Sequence, residues 1–260
     1  MQENSALGRV LELVRDLRAR CPWDRVQTRS TLRPYLVEEA LELDEALGND
    51  DPTQIREEVG DLLLHLAWQF VLAEERDEFT PDEAADGLIA KMRRRHPHLY
   101  DLGPRERWET LKRRETPRAV LDGLPATLPP LLMAYRLQQK AASVGFDWPD
   151  AEGPAAKVRE ELAEVEAELA AAAPAPEHAD TGAERDAADP VVEELGDLLF
   201  AVVNLARKAR VQPTVALDRA NRKFRARFAG VERLAAARGV DVATAGLEVL
   251  DGLWEEVKAG

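Results

Sequence analysis

Apolar residues recur along this chain at intervals of three and four, among good helix formers, while the alternation of Val, Ile and Thr typical of strands is nearly absent. The pattern predicts an all-α fold. One helix is expected from about Leu32 to Leu47, with Leu36, Ala40, Leu43 and Leu47 as its apolar stripe, ended by Gly48-Asn49-Asp50-Asp51-Pro52. A second begins near Thr53 and continues past Phe70. With Leu62, Leu63, Leu64, Leu66, Phe70 and Val71 it is apolar nearly all round, so it should be buried. A third follows Thr80-Pro81-Asp82-Glu83, with proline at the first helical position, and ends before His96-Pro97.

The pattern then starts again. VREELAEVEAEL parallels VEEALELDEAL, VVEELGDLLFAVVNLA parallels REEVGDLLLHLAWQF, and LDRANRKFRARF parallels DGLIAKMRRRHP. The preserved order marks a diverged internal duplication. Four prolines and a glycine in TPRAVLDGLPATLPP suggest a connector over 116–130, which places the two copies at 1–115 and 131–260. The second copy carries an insertion, AAAPAPEHADTGAERDAADP, whose Ala, Pro and charge content reads as a disordered loop over about 171–189.

Composition narrows the function. With 260 residues and 45% hydrophobic content the chain can bury a real core. Its 49 acidic against 35 basic residues give a net charge of -14, which repels phosphate backbones and anionic membranes alike, so no nucleic acid and no membrane is expected as partner. An anionic substrate would need a local cation to reverse that field. A single cysteine, Cys21, fits a reducing compartment. No run approaches the ~20 apolar residues of a membrane span, the N-terminus lacks a signal-peptide layout, and the expected location is cytoplasmic.

Against this background the acids stand out. Glu38, Glu39 and Glu42 fall within one helical arc, Glu39 nearest the stripe; Glu160, Glu161 and Glu164 repeat the arrangement, Glu161 nearest. Glu58 and Asp61 share a face of the apolar second helix, as do Glu194 and Asp197 in the repeat. Buried carboxylates are costly unless paired or bound to a cation. Two from each of two facing helices make an all-oxygen cage suited to Mg²⁺ or Mn²⁺. The alternatives are a solvated acidic face, or a buried cluster neutralised by Lys or Arg. Gly60 and Gly196 precede the aspartates inside helices, at a cost of ~1 kcal/mol against Ala, suggesting a close approach to the backbone there.

His65, one turn beyond Asp61, has Ala201 as its counterpart, which argues for a hydrogen-bonded core histidine rather than a di-iron ligand. His96 and His98 shape a turn, and His178 falls in the expected loop. Lys223 and Arg227 share a helical face, matched by Lys91 and Arg95, and would neutralise phosphate oxygens or form a solvated basic face. Asn221 has Ile89 in the other copy.

These residues resemble the full-length, two-copy MazG nucleoside triphosphate pyrophosphohydrolases. The likeness runs through CPWDRVQT, LRPYLVEEALEL, EEVGDLL, KMRRRHPHLY, GLPATLPPLLMAYRLQQKAASVGFDW, EELAEVEAEL, EELGDLLFAVVNLAR and ANRKFRARF, in order. It implies tandem helical bundles, a homodimer, and Mg²⁺-dependent hydrolysis of NTPs or dNTPs to the monophosphate and pyrophosphate, with Mn²⁺ as a substitute. Carried over, the metal ligands are Glu39, Glu42, Glu58 and Asp61 in the first copy and Glu161, Glu164, Glu194 and Asp197 in the second. Glu38 and Glu160 would orient water or a second metal; Glu160, Glu161, Lys223 and Arg227 would carry the catalytic step. Substrate contacts would come from Asn221, Lys223, Arg227, Trp254, Lys140, Lys91 and Arg95, with Trp254 or Trp148 on or near the base. The second copy is favoured as the main catalytic one. Arg29 stands where the family usually has His, which affects the first copy's substrate handling. Two rival readings remain: a narrow dUTP or dCTP pyrophosphatase, and a non-catalytic acidic scaffold for a protein partner.

Overall fold

In a computed structural model the structure describes residues 5–106, 108–115, 119–171 and 185–259, with the side chain of Arg113 excepted. The chain forms two compact units, Met1–Glu106 and Arg107–Gly260. The described residues hold helices and turns and no strand, as the periodicity predicts. The unit boundary precedes the expected connector, because Glu109 pairs with Arg136 at 3.3 Å and ties the segment before 116 to the second unit. Residues 116–118 of that connector, and 172–184 of the expected disordered loop, lie outside the described residues.

The first unit comprises α1 (Ala6–Arg20), α2 (Pro22–Arg25), α3 (Arg29–Asn49), α4 (Pro52–Glu74), α5 (Pro81–Arg95) and a 3-10 turn at Pro97–Leu99. A reciprocal capping box between Thr28 and Thr31 starts α3. Its end is abrupt. Asp50 takes a left-handed conformation with φ 55°, and Asp51 caps α4 through Thr53 N–H at 2.9 Å. Proline at the first position of α4 completes the reversal, so α3 and α4 form a tight hairpin, with α1 packed on α4.

The core of this unit joins Leu11 and Val14 of α1, Leu32 of α3, and Ala67, Trp68, Val71 and Leu72 of α4. It occupies only the C-terminal half of α4. The N-terminal half, expected to be buried, is open instead, with Val59 exposed. The α3 stripe is also rotated from the predicted one: the face turned inward is Leu32, Leu36, Glu39, Leu43 and Ala46, while Ala40 and Leu47 are exposed. The acid therefore sits within the stripe rather than beside it. Helix α5 buries only Pro81 among its residues.

The second unit comprises α6 (Trp108–Glu115), α7 (Pro130–Ala142), α8 (Glu152–Ala171), α9 (Pro190–Lys208), α10 (Pro213–Ala237) and α11 (Leu247–Ala259). Helices α8 and α9 pair as α3 and α4 do, α7 packs on α9, and α11 on α10. Val231, Ala235 and Leu253 centre the α10–α11 contact. There Gly230 lets the helices close: an added Cβ would lie 2.8 Å from Val257 Cγ1. None of the described helices is long and apolar enough to cross a membrane.

Candidate functional site

The two hairpins carry the same chemistry at corresponding places. In the first, oxygens of Glu39 on α3 and of Glu58 and Asp61 on α4 lie within 4.8 Å of one another; in the second, Glu161 on α8 joins Glu194 and Asp197 on α9 in the same way. The i, i+3 spacing sets each glutamate and aspartate on one face, and the partner helix brings its acid across from the inward stripe. Glu161 is the most enclosed, 4% exposed, as its position nearest the apolar stripe predicts.

Glu42 and Glu164 stand just outside these closest groups. Glu42 is hydrogen-bonded to Glu58, and Glu164 to Glu161. Glu38 and Glu160 are exposed. Crowding of like charges shows in the titration of the set. Desolvation and then the charges of Glu42, Asp61 and Glu58 raise the Glu39 carboxyl above its ordinary value, and desolvation followed by Glu42 and Asp61 raises Glu58. Glu194 is raised by desolvation and by Glu161 and Asp197, and Glu164 by desolvation and its contacts with Glu161. Desolvated acids held at contact distance are poised for a cation, and an all-oxygen set in the second unit fits a hard divalent ion.

The two sets differ in their attendants. Beside Glu39 stands His65, buried, its Nε2 3.7 Å from Glu39 Oε1 and its ring stacked on Tyr35 at 6.4 Å. Burial lowers its pKa, against the charge of Asp61, and its Nδ1 has no hydrogen-bond partner, in contrast to the hydrogen-bonded core histidine expected. Beside Glu161 stands Lys157, with Nζ at 2.5 Å from Glu161 and 2.7 Å from Glu160, contacts that raise the lysine pKa. One ammonium cannot offset Glu161, Glu164, Glu194 and Asp197, so neutralisation by lysine is incomplete.

Glu161 and Asp197 also line a cavity of about 840 Å³ in the second unit, together with Lys157, Trp148, Gln138 and Asn204. The loop 145–148 is strapped to α9: Arg207 Nη1 reaches Asp147 Oδ2 at 3.2 Å and Lys208 Nζ reaches the Trp148 carbonyl at 2.5 Å. The pair with Arg207 holds the Asp147 carboxyl below its usual range. Trp148 packs against Gly153, where a Cβ would collide with the indole. Gln138 is buried at 6% exposure, donates Nε2–H to the Phe200 carbonyl at 2.8 Å, and leaves Oε1 without a donor. Such an orphan acceptor costs about 1–3 kcal/mol.

Other expected residues lie elsewhere. Asn221, Lys223 and Arg227 are on α10, where the Arg227 guanidinium sits 6.0 Å from the Trp254 ring, itself 5.3 Å from Phe224. None of these residues lines the cavity. Lys91 and Arg95 are on α5. Lys140 Nζ donates to the carbonyls of Asp122 at 2.9 Å and Val120 at 3.4 Å, holding the 120–122 turn rather than reaching the acids. Arg29 ion-pairs with Glu78, its Nη1 at 3.0 Å, and so ties the start of α3 to the segment ahead of α5. Around Gly60 and Gly196 a Cβ would meet nothing within 4 Å, so the close approach expected there is not made by the described chain.

Sequence reasoning missed Lys157, Gln138 and Asn204. Lys157 was recoverable, since it precedes Glu161 by one helical turn. Gln138 and Asn204 carry no sequence signal; burial and a neighbouring helix make them notable.

Residues 27–100 match the family described as the MazG nucleotide pyrophosphohydrolase domain. Over 269 residues the chain is 36% identical to the nucleoside triphosphate pyrophosphohydrolase of Escherichia coli K12, covering 99% of this chain and 98% of that protein. It is 38% identical over 248 residues to the nucleoside triphosphate pyrophosphohydrolase/pyrophosphatase MazG of Thermotoga maritima, covering 92% and 90%. A Bacillus subtilis protein, YabN, is 39% identical over 258 residues, covering 95% of this chain and 50% of that one.

Proposed function

Since the chain belongs to the MazG family of nucleoside triphosphate pyrophosphohydrolases, hydrolases of acid anhydrides, we propose that it converts NTPs and dNTPs to the monophosphate and pyrophosphate, chiefly at the second acid set. The observation that carries this reading is the triad of Glu161, Glu194 and Asp197, two of whose members line a cavity large enough for a nucleoside. Glu161, Glu164, Glu194 and Asp197 would hold Mg²⁺, with Mn²⁺ as a substitute. Bound there, the ion would supply charge neutralisation for the phosphates and polarise the phosphoryl oxygens.

The protein's own tasks are positioning and proton management. Glu160, at the edge of the set, orients the attacking water against the α-phosphorus and accepts its proton. Lys157, already drawn to Glu160 and Glu161, is placed to exchange that partnership for a phosphate oxygen once the acids are neutralised. Lys223 and Arg227 would then offset the departing pyrophosphate. In one chain they lie on α10, which packs on α7 and α9 but adds neither residue to the cavity lining, and a second copy whose α10 approaches the acids would bring them there. A homodimer provides that, and the apolar residues left exposed on α8 and α9, among them Leu162, Leu195, Leu199 and Val202, suit such burial. Glu39, Glu42, Glu58 and Asp61 would hold the same ion in the first unit, with Glu38 auxiliary. With a net charge of -14 and no membrane-crossing helix described, free nucleotides in the cytoplasm are the proposed substrates.

The test is incubation of the purified protein with each NTP and dNTP, with and without Mg²⁺, and chromatography of the products. Monophosphate and pyrophosphate are expected, only with the ion, and a panel restricted to dUTP or dCTP would define a narrower enzyme. Glu194→Gln and Asp197→Ala should each lower kcat/KM at least ~100-fold. Full turnover by both variants would remove the second set from the reaction.

A further inference from the structure

Lys157 stands four residues before Glu161, and the residue four before Glu39 in the first unit is Tyr35. On the reading that both acid sets hold a divalent ion, we propose that Lys157 is a resident counter-cation of the second set that competes with the ion for Glu161, so that the first set fills at a lower ion concentration than the second.

The competition follows from the contacts of Glu161. Its Oε1 lies 2.5 Å from Lys157 Nζ, and its carboxylate is also hydrogen-bonded to Glu164. Both partners belong to α8, one turn before and one turn after, so they are in place whenever the helix is formed. An incoming ion needs the same carboxylate, because Glu161 is the member of the triad on α8 while Glu194 and Asp197 lie on α9. The ammonium and the ion draw on one negative charge and repel each other. Enclosure strengthens the hold: the Glu161 side chain is 6% exposed and gains from any cation at hand, whereas that of Lys157 is 42% exposed and can turn to water when an ion displaces it.

Glu39 meets an ion on other terms. Tyr35 brings no charge and stacks on His65. The basic group beside Glu39 is the His65 imidazole, whose Nε2 at 3.7 Å is beyond hydrogen-bond reach. Glu42 bonds to Glu58 and leaves Glu39 uncommitted. The other cations near the second set are spoken for, since Arg207 pairs with Asp147 and Lys208 reaches Asp147 and the Trp148 carbonyl. Lys157 is thus the cation set against the second group of acids, and it lines the same cavity as Glu161 and Asp197.

Each set can be measured alone in the full chain, with Glu194→Gln and Asp197→Asn silencing the second or Glu58→Gln and Asp61→Asn silencing the first. Mn²⁺ is titrated, and binding is read as loss of the free-ion paramagnetic resonance signal. The first set should bind at least ~5-fold more tightly than the second. Lys157→Met should close most of that gap by tightening the second set and should leave the first unchanged, and Lys157→Gln should act in the same direction. Tyr35→Lys should weaken the first set by a similar factor, with far-UV circular dichroism reporting that each variant is folded. Equal affinities of the two sets, or a second set that neither Lys157 variant tightens, would overturn the proposal and leave the metal reading standing. Absence of Mn²⁺ binding by either set, with Lys157 present or replaced, would remove both.

Discussion

Gly196 and Gly230 both sit inside helices, and differ in what a side chain would meet. A Cβ on Gly196, or on Gly60 in the first unit, meets open space, whereas one on Gly230 meets Val257 Cγ1 at 2.8 Å. Glycine in a helix costs roughly 0.5–1 kcal/mol against alanine. Gly60→Ala and Gly196→Ala should therefore each stabilise the protein by about that amount in urea unfolding. Gly230→Ala should destabilise it by about 1–3 kcal/mol, because Val257 is β-branched and has no easy alternative rotamer within α11. Should Gly196→Ala gain stability yet lose turnover, the close approach that the sequence suggests is made by substrate or by another chain. Trp148 against Gly153 has the same logic as Gly230, and there the glycine fixes an aromatic wall of the cavity.

At the scale of elements, the α8–α9 pair and the loop before it act as one piece through Asp147, Arg207 and Lys208. Asp147 has its carboxyl depressed from an ordinary 3.8, first by the hydrogen bond from Arg207. A depressed acid contributes stability above its unfolded value and loses it as pH falls through the folded one. Asp147→Asn should thus cost about 1 kcal/mol near neutrality, allowing for partial exposure. The cost should be constant down to pH ~5 and shrink below 3.8, read as the wild-type minus variant difference in chemical denaturation. A pH-independent difference would mean that the loop depends on something other than that charge. In the first unit Arg18 plays a comparable part. It donates to the carbonyls of Asp24, Arg25 and Gln27, each at 2.8 Å, pairs with Glu75 at 2.8 Å and covers the Trp68 ring. One side chain thus fastens α2 and the end of α4 to α1.

For the molecule as a whole, the crowded acid sets oppose folding, since desolvation and neighbouring like charges raise Glu39, Glu58, Glu164 and Glu194 above their ordinary values. An ion bound only by the folded state stabilises it by linkage, ~2.7 kcal/mol at a hundredfold excess over Kd. Mg²⁺ should accordingly raise the melting temperature, and Glu58→Gln combined with Glu194→Gln should abolish most of the rise. No Mg²⁺ effect on wild-type protein would favour an acidic scaffold over a metal-dependent enzyme. Sedimentation should give twice the 28.9 kDa chain mass if apolar faces on α8 and α9 are covered by a second copy. Charged substitutions at Leu195 and Leu199 should then yield monomers with impaired turnover.

How much of this was legible beforehand follows from how local each cause is. Helix class, the stop at 48–52, the capping sequence at Thr80, the repetition of the hairpin and the four acids of each copy depend on neighbours within a turn or two, so residue spacing determines them. The choice of inward face is not local: Ala40 and Leu47 fit the period as well as Leu32 and Ala46 do, and only the packing of α3 on α4, with Leu32 joining the α1–α4 core, decides between them. The burial of α4 along half its length, the separation of Lys223 and Arg227 from the cavity lining, and the capture of Lys140 by the turn at 120–122 are likewise decided by which elements meet. Gln138 shows the limit most plainly. In sequence it is an ordinary glutamine on an amphipathic helix; it becomes a half-satisfied amide in a cavity wall only because α7 lies on α9, beside the Phe200 carbonyl. The sequence by itself determined the helices and the identity of the acids, because both follow from short-range periodicity. The cavity and the half-satisfied Gln138 amide belong to the tertiary structure, because an unmet hydrogen bond exists only once packing has excluded water.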